Sequence, residues 1–206
     1  MEYLVTMTTH VPDGTAEADI QDMRGREAVR SRELAGEGHL LRLWRPPLQP
    51  GEWRSLGLFA ADSPGQLEQV LASMPLRAWR TDEPTVLAPH PNDPASQPAG
   101  AATSAHQTGG TEYLTTFVVT VPGGTPAEEA DVSEAREADR ARELADQGHL
   151  ERLWQLAGEG ESLGLWRAAG AADMQAILES LPLYDWMTVQ TTQLTPHPSD
   201  PPLAGG

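Results

Sequence analysis

The sequence predicts an α+β protein: two βαββαβ domains on one chain, their sheets meeting in a pseudo-dimeric α+β barrel. Two observations carry this. The chain repeats itself, and each copy shows the same succession of strand-like and helix-like stretches. Glu2-Tyr3-Leu4 returns as Glu112-Tyr113-Leu114, and the block Arg32 to Trp44 returns as Arg142 to Trp154, 110 residues later. Ser55-Leu56-Gly57-Leu58 returns as Ser162-Leu163-Gly164-Leu165 and Pro89-His90-Pro91 as Pro196-His197-Pro198, now 107 residues later, so one connection in copy two is three residues shorter. Copies of this length are domains, because solenoid units run to only about 20–50 residues. We expect copy one over 1–94, a flexible Gly/Ala/Pro-rich linker over 95–110, and copy two over 111–201. Each copy is small for an independent core, so the two are expected to pack on each other.

The elements of copy one follow in order. Tyr3 to Thr9 is β-branched and apolar, a strand. Pro12-Asp13-Gly14 is a turn, with Thr15 as the N-cap of the next helix. Ala16 to Glu37 has helical spacing and stops at Gly38, a helix-ending glycine. His39 to Arg45 reads as a second strand and Trp53 to Ala60 as a third. Ser63-Pro64 opens a second helix that runs to Met74, and Asp82 to Ala88 is the last strand. Copy two reads the same way. The order is the ferredoxin-like split βαβ arrangement.

Composition narrows the function classes. A formal net charge of −16 argues against nucleic acid and anionic membrane as partners. All 14 basic residues are Arg, which removes Schiff-base chemistry on a lysine; genomic base composition is the ordinary reason for such a bias. With no Cys there is no thiolate nucleophile, disulfide or Cys-ligated metal. No stretch approaches the roughly 18 apolar residues of a membrane span. Met1 to Val5 lacks the basic region and apolar core of a signal peptide, so a cytoplasmic location is expected. The six His have no carboxylates at ligand spacing, so no metal is expected, and there is neither a phosphate loop nor a nucleophile elbow.

Two sets of residues are candidates for chemistry. Ile20, Met23, Glu27 and Leu34 share one face of the first helix, so Glu27 interrupts an apolar stripe; Glu137 repeats this in copy two. A carboxylate facing an interior is costly unless paired or used, and desolvation raises its pKa toward that of a general base. The ordinary alternative is a salt bridge to Arg30 or Arg140, one turn on. On the second strand, simple alternation puts Leu40, Arg42 and Trp44 on one face, with Leu150, Arg152 and Trp154 matching them. The opposite face carries Leu41 in one copy and Glu151 in the other, so it reads as the wetter side. Arg42 and Arg152 are then expected to face inward and grip a substrate carboxylate, with Trp44 and Trp154 walling the pocket; packing of Arg on Trp is the alternative. His39 and His149, just after the glycine, are expected to serve a helix C-terminus.

These residues carry a resemblance. The opening Tyr-Leu-Val strand, Arg26-Glu27, the Gly38 to Arg45 run ending in Leu-Trp-Arg, and Leu181 to Met187 followed by Leu194 to Ser199 together resemble a tandem duplication of the muconolactone Δ-isomerase family. The resemblance covers both copies and misses only the linker and tail. It implies a ferredoxin-like fold, an α+β barrel dimer that often assembles further, and cofactor-free movement of a double bond in a small unsaturated lactone acid of aromatic catabolism. It carries the acidic residue over to Glu27 and Glu137. Ala28 and Ala138 stand where the family has Lys, and Arg42 and Arg152 where it has His before Leu-Trp-Arg. The expected function is therefore a double-bond isomerase acting on a small anionic or carbonyl-containing compound, with no cofactor. A cofactor-free cyclase or oxygenase of natural-product tailoring and a non-catalytic small-molecule-binding barrel are the alternatives; a homo-oligomer of the pseudo-dimer is left open. The copies differ near the site, with Arg24 against Glu134 and Arg77-Ala78-Trp79-Arg80 against Tyr184-Asp185-Trp186-Met187, so the Glu27 pocket is expected to favour an acid.

Overall fold

The structure, a computed structural model, describes residues 1–96 and 109–202; positions 97–108 of the expected linker lie outside the described residues. Copy one comprises β1 (Glu2–Thr9), α1 (Glu17–Gly36), β2 (Leu40–Arg45), β3 (Arg54–Ala60), α2 (Pro64–Ala72), a 3-10 turn (Pro75–Trp79) and β4 (Arg80–Pro89). Copy two comprises β5 (Thr111–Val119), α3 (Ala127–Asp146), β6 (Leu150–Gln155), β7 (Glu161–Ala168), α4 (Ala171–Glu179), a 3-10 turn (Tyr184–Trp186) and β8 (Met187–Pro196). The class is α+β, with two ferredoxin-like βαββαβ copies.

By contacts the chain divides into two units, and each is discontinuous in sequence. Unit 1 is Met1–Leu87 with the chain from Thr195 on; unit 2 is Ala88–Leu194. In unit 1, β1 is flanked antiparallel by β3 and β4, with Val5 opposite Gly57 and Pro84. β2 adds to β3, and the end of β8 adds to β2 through Trp44–Pro196 and Arg45–Thr195. In unit 2, β5 lies between β7 and β8, and β6 adds to β7. There the end of β4 adds to β6 through Ala88–Gln155 and Pro89–Trp154. The segment after each copy's last strand thus belongs to the unit built mainly from the other copy.

Local chemistry explains the boundaries. Ser63 accepts from Gln66 N–H at 3.2 Å and Pro64 occupies the first helical position of α2. Gly38 and Gly148, both at φ +77°, end α1 and α3, and the N–H of the next residue reaches back to the Leu34 and Leu144 carbonyls at 2.8 Å. Thr15 does not cap α1. Its hydroxyl donates to the Pro12 carbonyl at 2.6 Å, closing the turn instead, and Ala16 takes the cap position. The imidazoles of His39 and His149 do not serve the helix ends either: each Nδ1 meets a carbonyl on the neighbouring strand side, Ala60 or Arg167, at 3.0 Å.

The second strand holds the largest departure from the sequence reading. In both copies the register shifts by one residue, between Leu40 and Arg42 and between Leu150 and Arg152. Such a bulge reverses the alternation beyond it. Leu40 and Leu43 therefore lie together in the unit 1 core with Tyr3, Val5, Leu34 and Phe59. Leu150 and Leu153 do the same in unit 2 with Tyr113, Phe117, Leu144 and Trp166.

The repeated Ser-Leu-Gly-Leu motif has a packing cause. A Cβ on Gly57 would overlap the Phe59 ring, and one on Gly164 would overlap the Trp166 indole, whose Nε1 donates to Thr115 Oγ1 at 2.7 Å. Gly164→Ala should cost about 1–3 kcal/mol of stability through overpacking. Chemical denaturation, with a red shift of Trp166 emission in the folded state, is the measurement; an unchanged midpoint would contradict this account.

Candidate functional site

Each unit contains a large cavity lined by the first helix of its copy, its sheet and a Pro-His-Pro segment. In unit 1 the cavity is about 580 Å³ and is lined by Met7, Arg24, Glu27, Ala28, Leu43, Arg45, Trp53, Arg54, Leu76, Arg80 and His197, among others. In unit 2 it is about 590 Å³, with Phe117, Glu134, Glu137, Ala138, Leu153, Gln155, Glu161, Trp166, Leu183, Met187 and His90 among its lining residues.

The two glutamates expected from the helix pattern are both there. Glu27 Oε2 accepts from Leu76 N–H at 2.8 Å, and Oε1 accepts from Arg80 Nη1 at 2.8 Å. Glu137 Oε2 accepts from Leu183 N–H at 3.0 Å. The position matching Arg80 is Met187, so copy two lacks that guanidinium. Burial pushes both carboxyls above the ordinary glutamate value. In Glu27 the Leu76 N–H and Arg80 oppose the shift, whereas in Glu137 only the Leu183 N–H does. The alternative partners lie elsewhere: Arg30 pairs with Glu33 and Glu37, and Arg140 with Glu143.

Arg42, Arg152, Trp44 and Trp154 are not brought to the cavities. The bulge turns them away, and β2 presents Leu43 and Arg45 instead, β6 Leu153 and Gln155. Arg42 is 8% exposed and is gripped by Asp200, with Nη2 to Oδ2 at 3.1 Å, while Asp200 Oδ1 accepts from Leu43 N–H at 2.6 Å. Its guanidinium lies 4.9 Å from the centroid of buried Trp44. Copy two repeats this with Arg152 and Asp93 at 3.3 Å, Leu153 N–H to Asp93 at 3.0 Å, and Trp154 at 4.8 Å. The carboxylate that the Arg grips thus belongs to the protein, and the packing alternative describes the Trp.

This latch sets the histidines. His197 N–H donates to the Leu43 carbonyl at 3.0 Å, and Asp200 follows three residues later. Ser199 N–H donates to His197 Nδ1 at 3.1 Å, and Asn92 N–H to His90 Nδ1 at 3.0 Å. A ring nitrogen that accepts carries no proton, so in the neutral imidazole Nε2 is the donor. Burial and the Arg45 charge hold His197 down to about 4, and burial also lowers His90, against the pull of Asp93. Both rings are neutral donors at physiological pH.

His197, His90, Arg45 and Arg54 were missed as site residues. The repeated Pro-His-Pro was a usable signal, since it survives in both copies, followed in each by Asp-Pro after one variable residue. Arg80 was legible only as a cation near the Glu27 pocket that copy two lacks, not as the partner of Glu27. Among the described residues no three His, Asp or Glu side chains are grouped to hold a metal ion, and no helix is long and apolar enough to cross a membrane.

Comparison with known proteins bears on what this arrangement does. The profile of the family described as Muconolactone delta-isomerase matches residues 1–93 and again 111–200. The chain belongs to this family. Relatives with single-copy lengths agree. Muconolactone Delta-isomerase of Cupriavidus pinatubonensis is 31% identical over 92 residues, covering 45% of this chain and 97% of its own. Muconolactone Delta-isomerase 1 of Acinetobacter lwoffii is 33% identical over 81 residues, covering 39% and 84%. Over nearly the whole chain, a heme-binding protein from Thermus thermophilus superposes with a TM-score of 0.60 at 12% identity, covering 97% of this chain and 93% of that one. At that identity the likeness is one of fold: α+β, with the ferredoxin-like copies predicted from the repeat.

In this member of the isomerase family, Asp200→Ala leaves Arg42 buried without that carboxylate. The change should cost about 3–5 kcal/mol, read as a shift in denaturation midpoint without loss of Glu27. Glu137→Gln, by contrast, should be more stable than the wild-type chain at pH 7. The raised carboxyl favours the protonated form on folding, so its contribution is present at low pH and lost as pH rises through the folded value. The melting-temperature gap between the two proteins should therefore close on acidification; a gap independent of pH would remove this origin.

Proposed function

We propose that the chain is a double-bond isomerase acting by proton transfer on a small unsaturated lactone or related carboxylic acid, with Glu27 as the base of the unit 1 cavity. One observation carries this reading: a desolvated carboxylate, fixed by the Leu76 N–H, faces a cavity that also holds several guanidinium groups and a neutral histidine donor.

The step needs little else. The Glu27 carboxylate takes a proton from the carbon next to a carbonyl-conjugated double bond, and the electron pair moves onto the carbonyl oxygen as a dienolate. The His197 Nε2–H meets that developing charge, as neutral imidazoles do for enolates. Arg45 and Arg54, on the cavity wall, hold the substrate's carboxylate. Glu27 then returns its proton to the far carbon of the allylic system, the carbonyl reforms and the double bond has moved. One carboxylate serves as base and then as acid, so atoms and charge balance with no second acid. Arg42 and Arg152, with Trp44 and Trp154, act at one remove, by seating the histidine segments. Glu137 is the matching base of the unit 2 cavity.

Muconolactone is the first substrate to assay. Glu27→Gln together with Glu137→Gln should lower kcat/KM about 10²–10⁴-fold, and solvent deuterium should enter the wild-type product without oxygen consumption. The acid limb of the wild-type pH profile should lie above the ordinary glutamate value, because activity requires the carboxylate and burial raises its pKa. Full turnover by the double variant, or oxygen uptake during turnover, would exclude the mechanism.

A further inference from the structure

The two cavities have nearly equal volumes and opposite charge. The unit 1 cavity is lined by Arg24, Arg45, Arg54 and Arg80 against the carboxylates Glu27 and Glu52. At the four matching positions of unit 2 stand Glu134, Gln155, Glu161 and Met187. Every guanidinium has gone, and its lining includes three carboxylates and no Arg. What has been kept is as informative: the helix glutamate, the Ala after it and the histidine recur in both cavities. Surface drift does not remove each cation from one wall while sparing the glutamate, the histidine and the volume. On the sheet side of the unit 2 wall Phe117 stands in the place of Met7, beside Trp166, while Gly160 stands where unit 1 has Trp53.

We propose that the unit 2 cavity is a separate binding site for an uncharged, apolar carbonyl compound, such as a lactone or enone without a carboxylate. An acid would meet Glu134, Glu137 and Glu161 with no cation on the wall, a like-charge arrangement that rejects anions. An ammonium compound would suit the carboxylates but not His90, whose Nε2–H needs an acceptor. A neutral carbonyl satisfies that donor, and its apolar body packs on Phe117, Trp166 and Leu153. The inference extends the functional reading by giving the second cavity its own ligand class, and it rests on binding alone. Failure of the isomerase assay would leave it standing, and its failure would leave that assay untouched.

The test is calorimetric titration of the full chain with three probes: coumarin, coumarin-3-carboxylate and 3-(aminomethyl)coumarin. Two blocking variants separate the sites, Ala28→Trp in unit 1 and Ala138→Trp in unit 2, each checked for an unchanged melting transition. Coumarin should bind saturably, with affinity reduced at least about tenfold by Ala138→Trp and unchanged by Ala28→Trp. Coumarin-3-carboxylate should show the reverse pattern. In the Ala28→Trp background, Glu134→Arg with Gln155→Arg should then tighten the carboxylate at least about tenfold, which keeps the test decisive if a blocking variant is unstable. Four results would each overturn the proposal: no saturable coumarin binding below about 1 mM, loss of coumarin binding in Ala28→Trp, carboxylate bound in unit 2 as tightly as coumarin, or the ammonium probe bound there more tightly than coumarin.

Discussion

The arrangement depends on a buried ion pair between an arginine of the second strand and an aspartate just beyond the Pro-His-Pro segment. Asp200 binds the Arg42 side chain and the Leu43 N–H together, and Asp93 does the same for Arg152 and Leu153. One carboxylate thus ties down a strand backbone and a side chain at once, and the segment it ends cannot slide. A pair removed from water repays its desolvation only with such supplementary hydrogen bonds. Here the return is positional: it fixes a histidine, three residues upstream, on the wall of a cavity whose other wall carries the glutamate. The Trp beneath each guanidinium completes the packing.

Much of this was legible in the sequence. The repeat announced two copies, and strand and helix patterns gave the eight strands and four α-helices of the described residues within a few residues of their ends. Glu27 and Glu137 stood out because a charge in an apolar stripe has few structural excuses. Other features were hidden for identifiable reasons. The bulge at Leu41 and Glu151 adds one residue, and alternation read straight across it assigns Arg42 and Trp44 to the wrong face. Asp93 and Asp200 lie 59 and 158 residues from their partners, beyond any local pattern. Thr15 had the composition of a cap, but a nearer carbonyl was available to its hydroxyl.

The glutamates differ through one substitution each pocket could tolerate. Glu27 has its charge balanced by Arg80, itself held by Asp82, while Glu137 has a methionine there. The matching N–H holds both, Leu76 within the first 3-10 turn and Leu183 just before the second. Position is therefore common to the two carboxylates, and basicity is set separately by the last strand.

The exchanged ends of β4 and β8 have a consequence for descent. In a dimer of identical single-copy chains, every change to a cavity wall is made in both cavities at once, so neither can leave its ancestral ligand without the other. Joining the copies in one chain lifts that symmetry. Yet because each copy lends its final segment to the other unit, neither half became dispensable. A deletion of either copy would take the histidine from the cavity that remained. The duplication is thus held in place by mutual dependence of parts, while the two interiors are free to acquire different chemistry.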